Sequence, residues 1–192
     1  TILVWYVSIK MQWTIAVVLL VGYYLLLTFV EIGGYGAGNY SSSGALNAWF
    51  DQMLLPGTTY QNLLIDPEGV LSNVSSIVNA LCGVFIGRLV IQFQNKPMLL
   101  LRALCLLAGL SLFAGYLWGI VFPINKTLWT SSFVLVTCGY SILLLAIFYA
   151  LVDVLKLQGW SVFFAVIGTN SIISYLASSW VNWQYTVTSL LV

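Results

Sequence analysis

The chain has no histidine, and its 192 residues include only six Lys or Arg and five Asp or Glu. The missing imidazole removes the commonest general base, so these residues lack the usual means of taking a proton at neutral pH. The scarcity of charge excludes a soluble globular domain. Such domains carry roughly a quarter charged residues, and here the charged share is 6 % against 61 % hydrophobic. A net charge of +1 gives no basic surface for a polyanion, so no nucleic-acid partner is expected. Cys82, Cys105 and Cys138 fall in three separate apolar runs without ligand-like spacing. They read as small packing residues, with no metal site.

What remains is long apolar runs, and these favour membrane helices over the short alternating strands of a barrel. The fold expected is an all-α integral membrane protein. It would be a polytopic helical bundle of about five transmembrane helices, with a partial helix at the N-terminus and a long outer loop containing an interfacial helix. The opening "TILVWYVSIK" has no basic n-region and too few apolar residues to span a bilayer. It reads as the end of a helix, and the chain (1–192, a single transmembrane helical domain) as the C-terminal part of a longer membrane protein. The spans are expected at about 11–30, 70–91, 98–122, 131–152 and 160–180. The amphipathic stretch "SGALNAWFDQMLL" (43–55) supplies the interfacial helix.

Lys10, Arg88, Lys96, Arg102 and Lys156 all fall on one side of this arrangement, which should be cytoplasmic by the positive-inside rule. The "DPEG" and "FPINKTLWTSS" segments then lie on the periplasmic or luminal side, in a chain expected in a bacterial inner membrane. Two polar segments meeting at one membrane face would form the mouth of a cavity. In the second span Ser72, Ser76, Asn79, Gly83 and Gly87 make one polar and small stripe, and Gly168, Ser171, Ser174 or Tyr175, and Ser178 repeat the pattern in the fifth. Close helix packing accounts for the glycines and serines. For Asn79 and Asn170 packing and a water-filled or ligand-lined cavity are both open, because an amide in hydrocarbon needs partners.

Two motifs carry the candidate chemistry. In "LLIDPEGVLS" Pro67 presets a helix start, Asp66 can cap the first turn, and Glu68 sits near the positive end of the helix dipole. The same two carboxylates could instead hold an amine or sugar hydroxyls. In "FPINKTLWTSS" Asn125, Lys126 and Trp129 present an amide, a cation and an aromatic plane together. That set suits an acyl thioester, a phosphate or a sugar, while an ordinary interfacial anchor is the plainer account.

"DPEG" opening a membrane helix, "FPINKTLWTSSFV", "LVDV" (151–154) and "IGTNSIISYL" (167–176) follow one another in that order, and "YGAGN" and "AWFDQMLLPGTTY" fit the same region. Together they resemble the C-terminal half of the heparan-α-glucosaminide N-acetyltransferase family, whose bacterial relatives include NagX-like, N-acetylglucosamine-related membrane proteins. The resemblance implies transfer of acetyl from acetyl-CoA to the amino group of a glucosamine-type sugar, at an outward-facing site. It implies substrate-binding roles for Asp66, Glu68, Asn125, Lys126, Trp129 and Asn170; Asn79, from the polar stripe of the second span, is a further binding candidate read from the residues alone. The family's catalytic histidine belongs to an earlier segment, so no catalytic residue is expected in this chain. The partners implied are the lipid bilayer and an amino sugar or glycan, and a homodimer is left open. An amino-sugar transporter or uptake-associated protein is the alternative function.

Overall fold

A computed structural model describes residues 6–54, 65–66, 69–159 and 161–180. Four of its helices are long and apolar enough to cross a membrane: α1 (Ile9–Phe29), α3 (Val70–Phe93), α4 (Pro97–Gly119) and α5 (Ser131–Tyr149). The described residues are thus those of an all-α membrane protein, with one short hairpin among them. At most a third of any span's apolar window is buried within the chain; the remainder is left for lipid or other protein.

The first helix starts earlier than its hydrophobic run suggests. Ser8 caps it, its Oγ accepting from Met11 N at 3.4 Å, so Lys10 lies inside the first turn. At its far end "EIGGYG" folds back as two paired strands, β1 (Glu31–Ile32) and β2 (Tyr35–Gly36). Their two-residue turn needs positive φ at both positions, and Gly33 and Gly34 supply +61° and +86°. The sequence reading took this stretch as loop. Two residues per strand carry no hydrophobic alternation from which pairing could be read.

The expected interfacial helix is present as α2 (Leu46–Leu54), although its buried face is not simply apolar. Asn47 and Asp51 are buried beside Leu46 and Ala48, while Met53 and Leu54 are exposed. This helix packs on the start of α3 and on the hairpin. Beneath it, Tyr23 and Leu27 of α1 meet Leu46 and Phe122 in one apolar cluster. A second joins Ala16 and Leu20 of α1, Val78 and Leu81 of α3, and Val134 and Cys138 of α5.

Two compact units divide the chain, Thr1–Ile147 and Phe148–Val192. The first holds α1 to α4 and most of α5. In the second, α5 widens into a π-helical turn (Ala150–Val154), with Leu155 N reaching Ala150 O at 2.8 Å. The single span expected at 160–180 differs in the structure, which has two short helices, α6 (Ser161–Thr169) and α7 (Ser171–Trp180). The break has a local cause. Thr169 Oγ1 donates to the Ala165 and Val166 carbonyls, and Asn170 Nδ2 donates to Val166 O at 3.0 Å. Side-chain donors on these carbonyls compete with the helical ladder.

The start of α3 is capped from a distance. Its N-cap is Gly69, which has no side chain to give. The acceptor is Asp51 of α2: Oδ1 takes Val70 N and Oδ2 takes Asp66 N, each at 3.1 Å. Asp66, the expected cap, contributes its backbone here, donating N–H to Asp51 and accepting Gly69 N. A Cβ at position 69 would overlap the Asp51 carboxylate, which is the reason for glycine there. Asp51 is 1 % exposed. Burial holds its carboxyl above the ordinary value of 3.8, against the two backbone donors, which pull it down.

Two measurements test this packing. Gly139 of α5 lies against Leu112 of α4, where an added Cβ would come within 2.7 Å of Cγ and 3.0 Å of the backbone N. Gly139→Ala should lower the thermal midpoint in detergent micelles, by about 1–3 kcal/mol of overpacking. Gly83→Ala, with nothing within 4 Å of its Cβ position, should not; equal effects would refute the packing assigned. For Asp51 the raised pKa fixes a sign. Stability linked to its proton is greatest below the ordinary carboxylate range and is lost as pH rises through the raised value. Between about pH 4 and about pH 7 the wild-type midpoint should therefore fall more steeply than that of Asp51→Asn, which has no proton to lose. Parallel curves would show that the carboxyl is not perturbed.

Candidate functional site

The turn joining α4 to α5 is built around carbonyls that have left one helix and not yet entered the next. Asn125 starts it, its Oδ1 accepting Thr127 N at 2.9 Å and Leu128 N at 3.3 Å, as Asn does in turns. Thr130 closes it: its Oγ1 accepts Asn125 N at 3.0 Å and donates to Pro123 O at 2.9 Å. Ser132 Oγ donates to Phe122 O at 2.7 Å. Phe122, Leu128, Thr130, Ser131 and Ser132 are all buried. This is an interior turn held from within, rather than a surface loop.

Three further hydroxyls tie it to the neighbouring helices. Tyr23 of α1 donates to Leu128 O, Ser75 of α3 to Trp129 O at 2.6 Å, and Ser131 of α5 to Leu20 O of α1 at 2.7 Å. Asn47 of α2 donates to the Tyr23 hydroxyl at 3.0 Å. Four helices therefore converge on one short segment. Trp129 occupies the left-handed region, at φ +52°, a conformation that costs a non-glycine residue energy and persists only when its surroundings impose it.

Among the described residues, two buried side-chain polar atoms have no hydrogen-bond partner: Trp129 Nε1 and Asn47 Oδ1. One is a donor and the other an acceptor, and both belong to residues bonded into the Tyr23–turn network. Leaving such a group unpaired costs about 1–3 kcal/mol, so their occurrence at one end of the bundle is informative. The Trp129 ring lies half-buried against the cluster of α1, α3 and α5, edge-on to Phe133 at 5.3 Å. The residue as a whole keeps part of its surface exposed, while its Nε1 is buried.

Below the turn, on the same face of α3, runs a slot of about 420 Å³ between α3 and α5. Asn79, Cys82 and Gly83 line one wall, and Thr137, Cys138 and Ser141 the other. Asn79 lies one helical turn beyond Ser75, about 6 Å along the axis, so slot and turn share one strip of α3. Its amide is weakly held. Nδ2 reaches Thr137 Oγ1 at 3.5 Å, and Oδ1 receives the Cys138 thiol at 3.6 Å. Gly83 and Gly87 have open space where a Cβ would stand. Within these residues, then, the glycines make room rather than close helix contact.

Each residue singled out in the sequence can now be placed. Lys126 is exposed, with Lys126 O accepting Trp129 N, and no ion pair involves it among the described residues. Asn125 has its carboxamide oxygen committed to the turn, which leaves only the NH2 to face a ligand. Asp66 is half-buried beside Asp51, and Glu68 lies outside the described residues. Asn170 is exposed in the second unit and bonded to its own helix. Ser75, rather than Ser76, faces the turn: Ser76 Oγ turns back to Asn73 O at 2.8 Å. The sequence reading singled out none of Tyr23, Asn47 and Asp51. The only signal for them was an amide and a carboxylate spaced by four in α2, placing both on one helical face.

The opposite end of the bundle is held differently. Gln12, fully buried, accepts from Arg88 Nη1 at 2.9 Å and donates to Val7 O at 2.7 Å. That contact joins α1 to α3 far from the turn.

No family model matches the chain. It is 31 % identical to the heparan-α-glucosaminide N-acetyltransferase of Mus musculus over 76 % of its length, and 28 % identical to that of Homo sapiens over 86 %. The matches cover 24 % and 29 % of those proteins, so the chain spans about a quarter of the length of the curated relatives it matches. Over the shared region, this chain belongs to the heparan-α-glucosaminide N-acetyltransferase family.

Proposed function

We propose that these residues form part of a membrane acetyltransferase that moves an acetyl group from acetyl-CoA to the amino group of a glucosamine-type sugar. The observation that carries the reading is the pair of buried, unpartnered atoms, Trp129 Nε1 and Asn47 Oδ1, in a chain of this family. Acetyl transfer needs both polarities. The thioester carbonyl gathers negative charge as the amine attacks, and a fixed N–H is what such an oxygen requires. The attacking amine presents N–H groups for which a fixed oxygen is an acceptor. Trp129 supplies the donor and Asn47 the acceptor.

The remaining assignments follow from placement. Lys126, exposed and unpaired beside the turn, meets the sugar hydroxyls or the donor's oxygens. Asn125 shapes the turn and offers its NH2. Asp66 stands beside Asp51 ahead of α3 and contributes negative charge toward an amine; Glu68, two residues on in the sequence, is assigned the same role. The slot lined by Asn79 and Thr137 receives the acyl donor from the basic side, where Arg88, Lys96 and Arg102 favour its phosphates. That side is cytoplasmic by the distribution of Lys and Arg, which puts the turn on the outer face. Asn170 is a binding residue of the second unit. The proton-accepting base comes from elsewhere in the full protein, as these residues include no histidine.

The test is acetyl transfer to glucosamine by the full-length protein in membrane vesicles, with acetyl-CoA as donor. Trp129→Phe keeps the ring and removes only the N–H; it should lower kcat by about 10²-fold, the effect of losing one such donor, without shifting the thermal midpoint. Lys126→Ala should mainly raise KM. Unchanged kinetics in Trp129→Phe would sink the assignment. Glucosamine carried across the vesicle without acetylation would replace the reaction with transport.

A further inference from the structure

Nothing in the acetyl-transfer reading uses the two thiols in the slot wall. Cys82 projects from α3 and Cys138 from α5, both line the same 420 Å³ slot, and Cys82 packs against the buried cluster that contains Cys138. Cys138 is 7 % exposed and also donates to Asn79 Oδ1; Cys82 is half-buried. Cys105 differs from both, lying exposed on α4 away from the slot. Free cysteines in apolar interiors usually act as small hydrophobes, and a single one here would call for no comment. Two on different helices, lining one slot and packed in one cluster, have a chemistry that neither has alone.

We propose that Cys82 and Cys138 form a thiol–disulfide exchange site whose co-reactant is a small-molecule disulfide, and whose bridged form ties α3 to α5 across the slot. Cys82, the more accessible, attacks first. As its thiolate it forms a bond to one sulfur of RSSR and expels RS⁻, which takes up a proton. Cys138 then attacks the Cys82 sulfur of this mixed disulfide and expels the second RS⁻. The balance is two cysteine thiols plus RSSR giving one protein disulfide plus two RSH. The two electrons lost by the protein reduce the small disulfide. Exchange of this kind needs thiol access and neighbouring sulfurs, and the slot provides both.

The bridge has a structural consequence because of where it sits. Asn79 is one turn from Cys82 on α3, and Thr137 is next to Cys138 on α5, so a covalent link fixes the separation of the walls that carry them. The slot then has two states, a reduced one whose walls are joined by weak contacts and a bridged one of set width. This proposal does not depend on acetyl transfer, and any ligand of the slot would be subject to it.

The experiment uses the full-length protein in its membranes, treated with glutathione disulfide as the probe. Free thiols are then alkylated under denaturing conditions, and the peptides are read by mass spectrometry. The expected result is a peptide pair linked Cys82 to Cys138, both lost from alkylation together and both recovered with dithiothreitol, while Cys105 stays alkylatable throughout. Glutathione left on Cys82 with Cys138 still free, a link to Cys105, or both slot thiols unreacted would each overturn the proposal. Since the wild-type protein gives the answer, no variant has to fold. Cys82→Ser adds a second reading: Cys138 should stay alkylatable in it, and its disappearance would show that it reacts without its neighbour.

Discussion

A carbonyl released from a helix inside a lipid-flanked bundle has no water to turn to. The α4–α5 turn releases several at once, at Phe122, Pro123, Leu128 and Trp129, and hydroxyl donors meet each of them. Two donors belong to the turn's own end (Thr130 and Ser132) and two come from other helices (Tyr23 and Ser75). Ser131 adds a bond in the other direction, to Leu20 O of α1. The satisfaction of these carbonyls is what sets α1, α3 and α5 against one another. The Thr-Ser-Ser cluster that interrupts so apolar a sequence is there to complete it.

From that arrangement the rest follows in order. Ser75 bonded to Trp129 O fixes which face of α3 lies under the turn, so Asn79, Cys82 and Gly83 are brought to α5 one after another. The cap on α3 belongs to the same design. Asp51 reaches across from α2 to receive Val70 N and Asp66 N, and Gly69 lets it come close. A network this complete makes its two exceptions conspicuous. Among the described residues, Trp129 Nε1 and Asn47 Oδ1 are the buried side-chain polar atoms that stay unpaired, and Trp129 holds its place with a backbone in the left-handed region.

The chemistry is divided by depth. Hydrogen-bond donors and acceptors gather at the turn end. Further along α3 the slot is mostly apolar, with one weakly held amide and a thiol pair. A linear donor with a small reactive end suits such a shape, since only its tip needs strong hydrogen bonds and its body needs room. The open positions at Gly83 and Gly87 supply that room.

Much of this was legible from the residues alone. Apolar runs of about twenty residues have no stable place except in a membrane, so the four spans, and the turns between them, were determined by hydrophobicity and length. The four motifs in order indicated the family, and the step of four residues along α3 indicated a polar face with Asn79 on it. Other features had no local signature. Ser75 and Ser76 are indistinguishable by composition, and only the position of Trp129 O decides which one is used. Asp51, fifteen residues from Asp66 in the chain, caps α3 because α2 folds over its start, which no spacing rule foretells. The break at Thr169–Asn170 came from side chains competing for carbonyls within an otherwise continuous apolar pattern. Hydrophobic periodicity reports which residues must leave water; which polar atoms then meet is a matter of long-range geometry, and only the tertiary structure decided it.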